Sequence, residues 1–297
     1  MAFTKIALMG SQRIADVQET LLALYSHLQE QGYSVVFELD TAQRLSLSSE
    51  YATADAQQLA QFCEILLVVG GDGSLLQAAQ IAITQDLPVL GINRGRLGFL
   101  TDMYPHEFSK ILQVLQGEYQ EEQRFMLTVS ICRQNTAVNA FQVLNEMVLS
   151  PGDISHMMEF GISIDHQFVC ELHADGLIIS TPTGSTAYAL SGGGPIVHPA
   201  LNAMVLVPMF PHTLSNRPLV VSADSVVTIH IDEKNITFPY ISGDGQKRTS
   251  VTLGDRVEVK KESRPLRLIH PLDYNYFDTL RMKLGWQSKS PAYKSRC

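Results

Sequence analysis

Ile65-Leu-Leu-Val-Val-Gly-Gly-Asp-Gly-Ser74 joins an apolar run to a glycine-rich turn, and this combination predicts the class of fold. Its uninterrupted apolar run, Ile65 to Val69, predicts a strand that is buried on both faces of a parallel sheet. A glycine-rich turn follows, and the apolar spacing from Leu75 to Ile83 predicts a helix opened by a capping box of Ser74 and Gln77. Strand, turn and helix in this order predict an α/β unit, whose ligands bind at the carboxyl ends of the strands.

The same alternation of short apolar runs and helical patterns continues on both sides of this stretch, over the first 120 residues. Beyond a predicted helix at about His106 to Leu115, the periodicity changes to that of short strands, which continue from Phe125 to about His270. We therefore predict an α/β N-terminal domain with a parallel sheet, residues 1–123, and a β-rich, antiparallel, sandwich-like C-terminal domain, residues 124–272. The helix-like tail, residues 273–297, is predicted to pack back on the first domain.

Composition excludes several classes of protein. The chain has 297 residues, of which 45% are hydrophobic and 18% charged, an ordinary balance for a folded chain of about two domains. The net charge of −8 supplies no field that attracts nucleic acid, and no apolar run approaches the roughly 20 residues that span a bilayer. We therefore expect a cytoplasmic protein with neither a nucleic-acid nor a membrane partner. Four scattered cysteines form no C-x-x-C pair.

The turn at residues 70–74 has the composition of a phosphate site. Gly70, Gly71 and Gly73 let backbone N–H groups approach a phosphate closely, and the helix that begins near Ser74 offers partial positive charge. Asp72 would repel an anion unless it takes a proton or holds a metal, which makes it a candidate general base. The alternative is a strand–helix turn with an incidental aspartate.

Two further segments carry polar groups in unusual positions. Asp175 to Pro195 joins a strand to a turn rich in hydroxyls and glycines, a source of neutral donors for ribose, amide and phosphate groups, although a sharp β turn is the alternative. Asn145 and Glu146 interrupt an apolar strand, so at least one of them faces a site or needs a buried partner, unless both face solvent. His156 and Glu159 alone do not form a zinc site, and no metal held by the protein is predicted.

Together these segments resemble the NAD kinase family, whose motifs they match in order over most of the chain. The Gly-Gly-Asp-Gly turn also resembles phosphofructokinases and diacylglycerol kinases, whereas the block that begins at Asp175 is far more specific. The matching motifs are Gly70–Gly73, Gly91–Asp102, Asn145–Glu146, Asp175–Tyr188, Pro208–Pro218 and His270–Phe277.

The resemblance implies an enzyme that transfers the terminal phosphoryl group of ATP to the 2'-hydroxyl of the adenosine ribose of NAD, which gives NADP. It implies that Asp72 is catalytic, that Gly70, Gly71, Gly73 and Ser74 bind phosphate, and that Mg²⁺ or another divalent cation arrives with ATP. Partners are then NAD, ATP and other copies of the chain, in a homodimer or homotetramer. The implied substrate-binding residues are Gly73, Asn145, Glu146, His156, His173, Asp175, Thr186, Ala187, Tyr188, Ala189, Leu190, Ser191 and Gln246.

One position departs from the family pattern. Many bacterial members carry Arg-Ser where this chain has His173-Ala174, so a permanent cation is replaced by a group that is largely neutral near pH 7. Two rival functions are a lipid or sugar kinase that uses the same turn and a dinucleotide sensor without catalysis. The first would need an apolar pocket or a second cationic clamp, and the second could dispense with Asp72.

Overall fold

The computed structural model describes residues 3–11, 17–95, 98–152, 156–213, 215–236 and 238–286. The chain divides into two compact units. The α/β unit comprises Met1–Glu122 and Leu266–Cys297, and the β unit comprises Gln123–Pro265. The chain thus re-enters the α/β unit at Leu266, with a strand that precedes the helical tail.

The α/β unit is built on one seven-stranded sheet. Its strands are β1 (Lys5–Gly10), β2 (Ser34–Glu38), β3 (Thr53–Ala54), β4 (Ile65–Gly70), β5 (Val89–Asn93), β6 (Tyr119–Arg124) and β19 (Leu266–Pro271). They lie in the order β3-β2-β1-β4-β5-β19-β6, and the pairs from β3 to β19 are parallel. Strands β4 and β5 are buried along their full length, as the apolar runs predict.

In the described part of the same unit lie six helices: α1 (Gln18–Glu30), α2 (Leu39–Arg44), α3 (Leu59–Phe62), α4 (Asp72–Gln85), α5 (Phe108–Gln116) and α7 (Tyr276–Leu284). The capping box predicted at Ser74 is wrong. Helix α4 begins at Asp72, with Gly71 as its N-cap and no side-chain capping bond, so Ser74 lies inside the first turn and is buried. Among the described residues, no helix is both long and apolar enough to cross a membrane.

The β unit consists of two six-stranded sheets whose paired strands are antiparallel. One sheet has the order β11-β10-β15-β18-β7-β8 and the other β14-β13-β12-β9-β16-β17. The strands are β7 (Leu127–Arg133), β8 (Thr136–Val143), β9 (Glu146–Ser150), β10 (Met158–Ile164), β11 (Gln167–Ala174), β12 (Gly176–Ser180), β13 (Ala203–Met209), β14 (Leu219–Ser222), β15 (Val227–Ile231), β16 (Tyr240–Gly243), β17 (Lys247–Ser250) and β18 (Arg256–Lys261).

The two sheets of the β unit share one hydrophobic core. Val129 and Ile229 from the first sheet and Leu149, Leu177 and Ile241 from the second are all fully buried in it. Residues from both inner faces interdigitate in this way in a β-sandwich. The predicted fold class, a parallel α/β domain followed by an antiparallel, sandwich-like β domain, is confirmed.

Strand register brings particular turns together in each unit. In the α/β unit, Gly70 at the end of β4 lies opposite Asn93 at the end of β5, so the segments that follow these strands meet at one sheet edge. In the β unit, Glu146 at the start of β9 lies opposite Ser180 at the end of β12, and Met147 lies opposite Gly243 at the end of β16.

Candidate active site

The glycine-rich turn of the α/β unit leaves its backbone accessible. Among the described residues, a side chain added at Gly71 or Gly73 would meet nothing within 4 Å, so this part of the chain leaves both glycines open beside the N-terminus of α4. At Gly70 the reason for glycine is different, because a Cβ atom there would lie within 2.3 Å of Ser74 Oγ. The turn thus combines close packing beneath it with an open face at a helix N-terminus, an arrangement suited to an anion.

The carboxylate of Asp72 is held by the loop that follows β5. Its two oxygens accept hydrogen bonds from the backbone N–H groups of Phe99 at 2.9 Å and Leu100 at 3.0 Å. The Thr101 hydroxyl lies 3.4 Å from Oδ1 and itself accepts a 2.8 Å hydrogen bond from the Asn93 side-chain amide. Oδ2 accepts the Phe99 N–H and has a second lone pair, so the group is oriented and can still accept a proton from a substrate at this oxygen.

Gly98 makes this close approach possible. A Cβ atom at Gly98 would lie 2.0 Å from Asp72 Oδ1 and 2.5 Å from Thr101 Oγ1, so any side chain there displaces the carboxylate. The resemblance includes this glycine in a quoted motif, but sequence reasoning assigned it no role. Its partner, Asp72, is 26 positions away in the sequence, and the pairing of β4 with β5 is what brings the two residues together.

In the β unit, an aspartate that sequence reasoning missed organises Asn145 and Glu146. Asp244, in the turn between β16 and β17, accepts hydrogen bonds from three consecutive backbone N–H groups, those of Leu144, Asn145 and Glu146, at 2.8 to 3.1 Å. Its own N–H donates to the Glu146 carbonyl at 3.0 Å. The available signal was a second Gly-Asp-Gly sequence, Gly243 to Gly245, next to the predicted contact Gln246.

The hydroxyl-rich segment also forms hydrogen bonds to this part of the backbone. The carbonyl oxygen of Asn145 accepts a 2.9 Å hydrogen bond from the Thr181 N–H, and the Thr181 hydroxyl donates to the Leu144 carbonyl at 2.6 Å. A Cβ atom at Gly184 would lie 2.2 Å from the Asn145 carbonyl oxygen. Thr181 and Gly184 therefore fix the backbone of this predicted ligand contact.

Glu146 is a buried carboxyl group, so the alternative that both members of the pair face solvent is wrong for this residue. It is only 6% exposed, and within the described part of the chain no group donates to its Oε2 atom. Burial raises the pKa of Glu146 to about 8, and the nearby charge of Asp244 adds to the rise, while a hydrogen bond from the Tyr188 N–H opposes it. Near neutral pH the group is therefore largely a protonated acid that can donate a hydrogen bond.

A cavity of about 510 Å³ lies beside the short helix α6 (Tyr188–Ser191). Tyr188 and Ser191 line it together with Phe210, Asn216 and Arg217 from the segment after β13. Two aromatic rings and a guanidinium group in one concave site suit a planar, polar ligand. Sequence reasoning placed Tyr188 and Ser191 in a site but gave no role to Phe210 or Arg217.

The other predicted contacts in the glycine-rich segment Asp175 to Pro195 differ in how exposed they are. Thr186, Ala187 and Leu190 are half-buried, Ala189 is fully buried, and Ser191 is exposed. Gly193 has a φ of +85°, and a Cβ atom at Gly194 would lie 2.9 Å from the Ala189 carbonyl oxygen. Gly192, Gly193 and Gly194 therefore form a sharp turn, which was the alternative to a binding role. A Cβ atom at Gly193 would nevertheless meet no described residue within 4 Å, and Gly192 and Gly193 line the Tyr188 cavity, so a binding role stays a prediction.

The remaining predicted residues are exposed. Gln246 is exposed two positions after Asp244, Asp175 is exposed while its N–H donates to the Met209 carbonyl, and His156 is exposed next to residues outside the described ranges. His173 does not line the Tyr188 cavity. It lines a different cavity, of about 540 Å³, along β10, β11 and β15, and its ring lies 5.8 Å from that of His212.

These features define a class of protein. An α/β unit with an oriented carboxylate in a Gly-Gly-Asp-Gly turn at a strand end, followed by a β unit with a hydroxyl-rich turn, has the groups that a small-molecule kinase needs. Family comparisons make this specific: residues 11–119 match the ATP-NAD kinase N-terminal domain, and residues 144–271 match the ATP-NAD kinase C-terminal domain.

Curated relatives extend the match over nearly the full chain. An NAD kinase of Coxiella burnetii is 53% identical, over 97% of this chain and 96% of its own length. An NAD kinase of Chromohalobacter salexigens is 49% identical, over 97% and 98% respectively. The chain belongs to the ATP-NAD kinase family, and it is a phosphotransferase that phosphorylates NAD with ATP.

Solved structures agree with this assignment. The yeast NADH kinase complexed with NADH superposes with a TM-score of 0.87 at 25% identity, over 99% of this chain and 91% of its own. An NAD kinase from Archaeoglobus fulgidus in complex with ATP superposes with a TM-score of 0.70 at 23% identity, over 95% and 99%, which shows a shared fold.

Proposed function

We propose that this chain joins the γ-phosphorus of ATP to the 2'-oxygen of the adenosine ribose of NAD, with Asp72 as the general base. The observation that carries the proposal is the Asp72 carboxylate, oriented by the N–H groups of Phe99 and Leu100 beside an open glycine turn. A secondary hydroxyl is a poor nucleophile at neutral pH, and a positioned carboxylate that accepts its proton raises its reactivity.

The step balances as follows. A bond forms between the ribose 2'-oxygen and the γ-phosphorus, the bond from that phosphorus to the β,γ-bridging oxygen breaks, and ADP leaves. The hydroxyl proton moves to Asp72. Gly70, Gly71 and Gly73 hold phosphate groups by backbone N–H groups at the N-terminus of α4, so most of the rate enhancement comes from positioning and electrostatics. Ser74, also predicted to bind phosphate, is buried and its N–H donates to the Gly71 carbonyl, so it makes no such contact.

The β unit supplies the dinucleotide contacts in this proposal. Asn145 and Glu146, whose backbone Asp244 and Thr181 fix, face the ligand, and protonated Glu146 donates a hydrogen bond to it. Tyr188 is 49% exposed at its cavity, where its ring offers a stacking surface for a base. Asp175 and Gln246, both exposed, complete the polar contacts predicted from the sequence.

We further propose that Mg²⁺ is bound by the phosphate oxygens of ATP and by water, and is not held in a cage of protein ligands. In the described ranges no three His, Cys, Asp or Glu side chains are grouped so as to hold a metal ion. Mg²⁺ commonly keeps several waters and binds through substrate phosphates. The cation supplies charge neutralisation as the phosphoryl group transfers.

Product analysis tests the proposed reaction. Purified protein is incubated with ATP, Mg²⁺ and NAD, and the product is assayed with a dehydrogenase that accepts only 2'-phosphorylated coenzyme. We expect NADP to form in an amount equal to ADP. ADP formed without NADP would mean that the phosphoryl group passes to water or to another hydroxyl of NAD, and would overturn the proposed acceptor. NAD binding without ADP release would indicate a sensor.

Two further predictions from the sequence concern the assembly and its location. We propose a homodimer or homotetramer, which light scattering of the purified protein distinguishes from a monomer. A cytoplasmic location stays a prediction, to be tested by fractionation of the source cells.

A further inference from the structure

His270 is a buried imidazole between two carboxylates in the α/β unit. It lies in β19 and is 1% exposed. Its Nδ1 atom lies 2.8 Å from Asp102 Oδ2, and its Nε2 atom lies 3.3 Å from Glu122 Oε2, an ion-pair contact. The ring also stacks on that of Tyr274, with centroids 3.9 Å apart. The proposed reaction uses none of these four groups.

This geometry selects one protonation state. A neutral imidazole carries one N–H and one lone pair, so it would direct the lone pair at one of the two carboxylates. The imidazolium donates its Nδ1–H to Asp102 and brings its positively charged Nε2–H to 3.3 Å from Glu122, a charge contact that lacks the alignment of a hydrogen bond. Burial lowers the pKa of His270, but the Asp102 hydrogen bond and the negative charges of both carboxylates outweigh burial, and the pKa is raised overall.

The titratable groups that face the ring come from three elements. Asp102 belongs to the loop after β5, Glu122 to β6, and Tyr274 to the segment after β19. Charged neighbours on the same elements have partners of their own. Lys110 of α5 pairs with Asp273 at 2.8 Å, and Arg267 of β19 pairs with Glu121 of β6 at 3.1 Å.

The loop that His270 holds is the loop that orients Asp72. Asp102 directly follows Thr101, and the loop Gly98–Asp102 supplies the Phe99 and Leu100 N–H donors to the Asp72 carboxylate. Just beyond Asp102, the backbone of Met103 bonds to Asn93 and Gly91 of β5. The end of the loop is therefore fixed to β5 by its backbone and to β19 by the Asp102 side chain.

We infer that His270, as an imidazolium, is a positioning residue for Asp72 and acts through Asp102 and the loop Gly98–Asp102. Loss of its proton turns one of the two carboxylate contacts repulsive, and the loop no longer presents both N–H groups to Asp72. The inference rests on the proposed role of Asp72. It adds that kcat falls as His270 loses its proton, while the KM for NAD stays constant.

The test compares two pH titrations in wild type and Glu122→Gln. The His270 ring protons are followed by NMR from pH 6 to 9.5, and kcat and KM for NAD are measured over the same range. Removing one carboxylate lowers the His270 pKa by about one unit. We expect the alkaline fall in kcat to move down with it by the same amount. The matched control is Glu121→Gln, which removes the neighbouring carboxylate on β6, paired with Arg267, and should move neither titration.

Several results would overturn the inference. One is a kcat profile that does not shift when the NMR titration does. If wild-type His270 keeps its proton up to pH 9.5, the fall in kcat must appear in Glu122→Gln and not in wild type. A kcat that does not change with pH in a variant whose imidazole titrates contradicts the proposal. A rise in the KM for NAD with unchanged kcat would also contradict it.

Two further variants separate this inference from the proposed function. His270→Gln should lower kcat at least tenfold with an unchanged KM for NAD and a folded circular dichroism spectrum. If it does not fold, the milder Glu122→Gln still decides the question. Should Asp72→Asn retain normal turnover, the base assignment fails whatever His270 does. If Asp72→Asn loses turnover but the two titrations do not move together, only the positioning role fails.

Discussion

Two Gly-Asp-Gly turns, one in each unit, hold their aspartates in nearly the same way. Asp72 accepts hydrogen bonds from two consecutive backbone N–H groups, and Asp244 accepts them from three. Their surroundings differ. Asp72 begins a 14-residue helix after a buried parallel strand, whereas Asp244 has a φ of +49° in a hairpin turn beside buried Glu146. In the first turn the loop orients the carboxylate, and in the second the carboxylate orients the loop. In the proposed reaction the first carboxylate and the second loop are the parts that meet substrate.

The same substitution in both turns tests most directly whether the two aspartates differ in function. An asparagine at either position puts an amide NH₂ against a backbone N–H donor, so each variant loses about one hydrogen bond to its loop. Only Asp72→Asn also loses the base. We expect its kcat to fall by about a hundredfold or more, on the scale of a lost general base, with NAD binding largely retained. Steady-state kinetics and NAD titration measure both quantities, and near-normal turnover would end the base assignment.

Gly98→Ala tests whether orientation of Asp72 matters apart from its identity. The new methyl group would lie 2.0 Å from Asp72 Oδ1, so the carboxylate must move off its two N–H donors. A displacement of about 1 Å can cost up to about a hundredfold in rate, and we expect kcat to fall between tenfold and a hundredfold. Gly95→Ala is the matched control, because its nearest neighbour would be 3.7 Å away. Equal kinetics in the two variants would contradict the role of the loop.

Asp244→Asn is expected to act on binding and not on the chemical step. Hydrogen bonds to a charged group contribute about 1.5 to 3 kcal/mol, so loss of one from the Asn145–Glu146 backbone should raise the KM for NAD about tenfold or more. The kcat value should change little. A fall in kcat like that of Asp72→Asn, at unchanged KM, would show that the two turns do not differ in function.

The contrast also shows where sequence reasoning succeeds. The apolar run of β4 is a local signal that leads to the correct element. The single strand predicted through Asn145 and Glu146 is wrong, because β8 ends at Val143, Asn145 lies in the bend that follows, and β9 begins at Glu146. The partners of the two aspartates are not local. Phe99 and Leu100 are 27 and 28 positions from Asp72, and Asn145 is 99 positions from Asp244. Such pairs depend on strand register, which sequence patterns alone leave open.

Local rules also fail where a helix begins. The pattern Ser74-x-x-Gln77 matches a capping box, yet α4 starts at Asp72 because Gly71 serves as the N-cap. The buried cysteines, by contrast, follow a simple rule: Cys63 and Cys132 are buried as small apolar side chains. The sequence alone could not predict that Glu146 is the buried member of its pair. Alternation in a strand indicates that one of two adjacent residues faces inward, but it does not indicate which one.

The last expected effect is on stability, and it concerns the second turn, where buried Glu146 lies near the charge of Asp244. Burial and the charge of Asp244 raise the pKa of Glu146 to about 8 in the folded state, against 4.5 for an ordinary glutamate. Between these values the unfolded chain releases a proton that the folded chain keeps. Stability therefore falls as pH rises from about 4.5 to 8, by at most about 1.4 kcal/mol per pH unit from this group.

Glu146→Gln removes this dependence, since glutamine has the shape of the protonated acid and cannot titrate. Urea unfolding at pH 5.5, 6.5 and 7.5 should show wild type losing stability relative to the variant as pH rises.

Glu262→Gln is the control, because the pKa of Glu262 is shifted in the opposite direction. Hydrogen bonds from Thr128, Gln142 and Ser263 outweigh burial and lower the pKa of Glu262 to about 2. That carboxylate is therefore ionised in both states throughout this range, and its removal should cost the same free energy at each pH. Parallel curves for wild type and Glu146→Gln would mean that folded Glu146 is already ionised at pH 5.5, and that it meets its ligand as an acceptor.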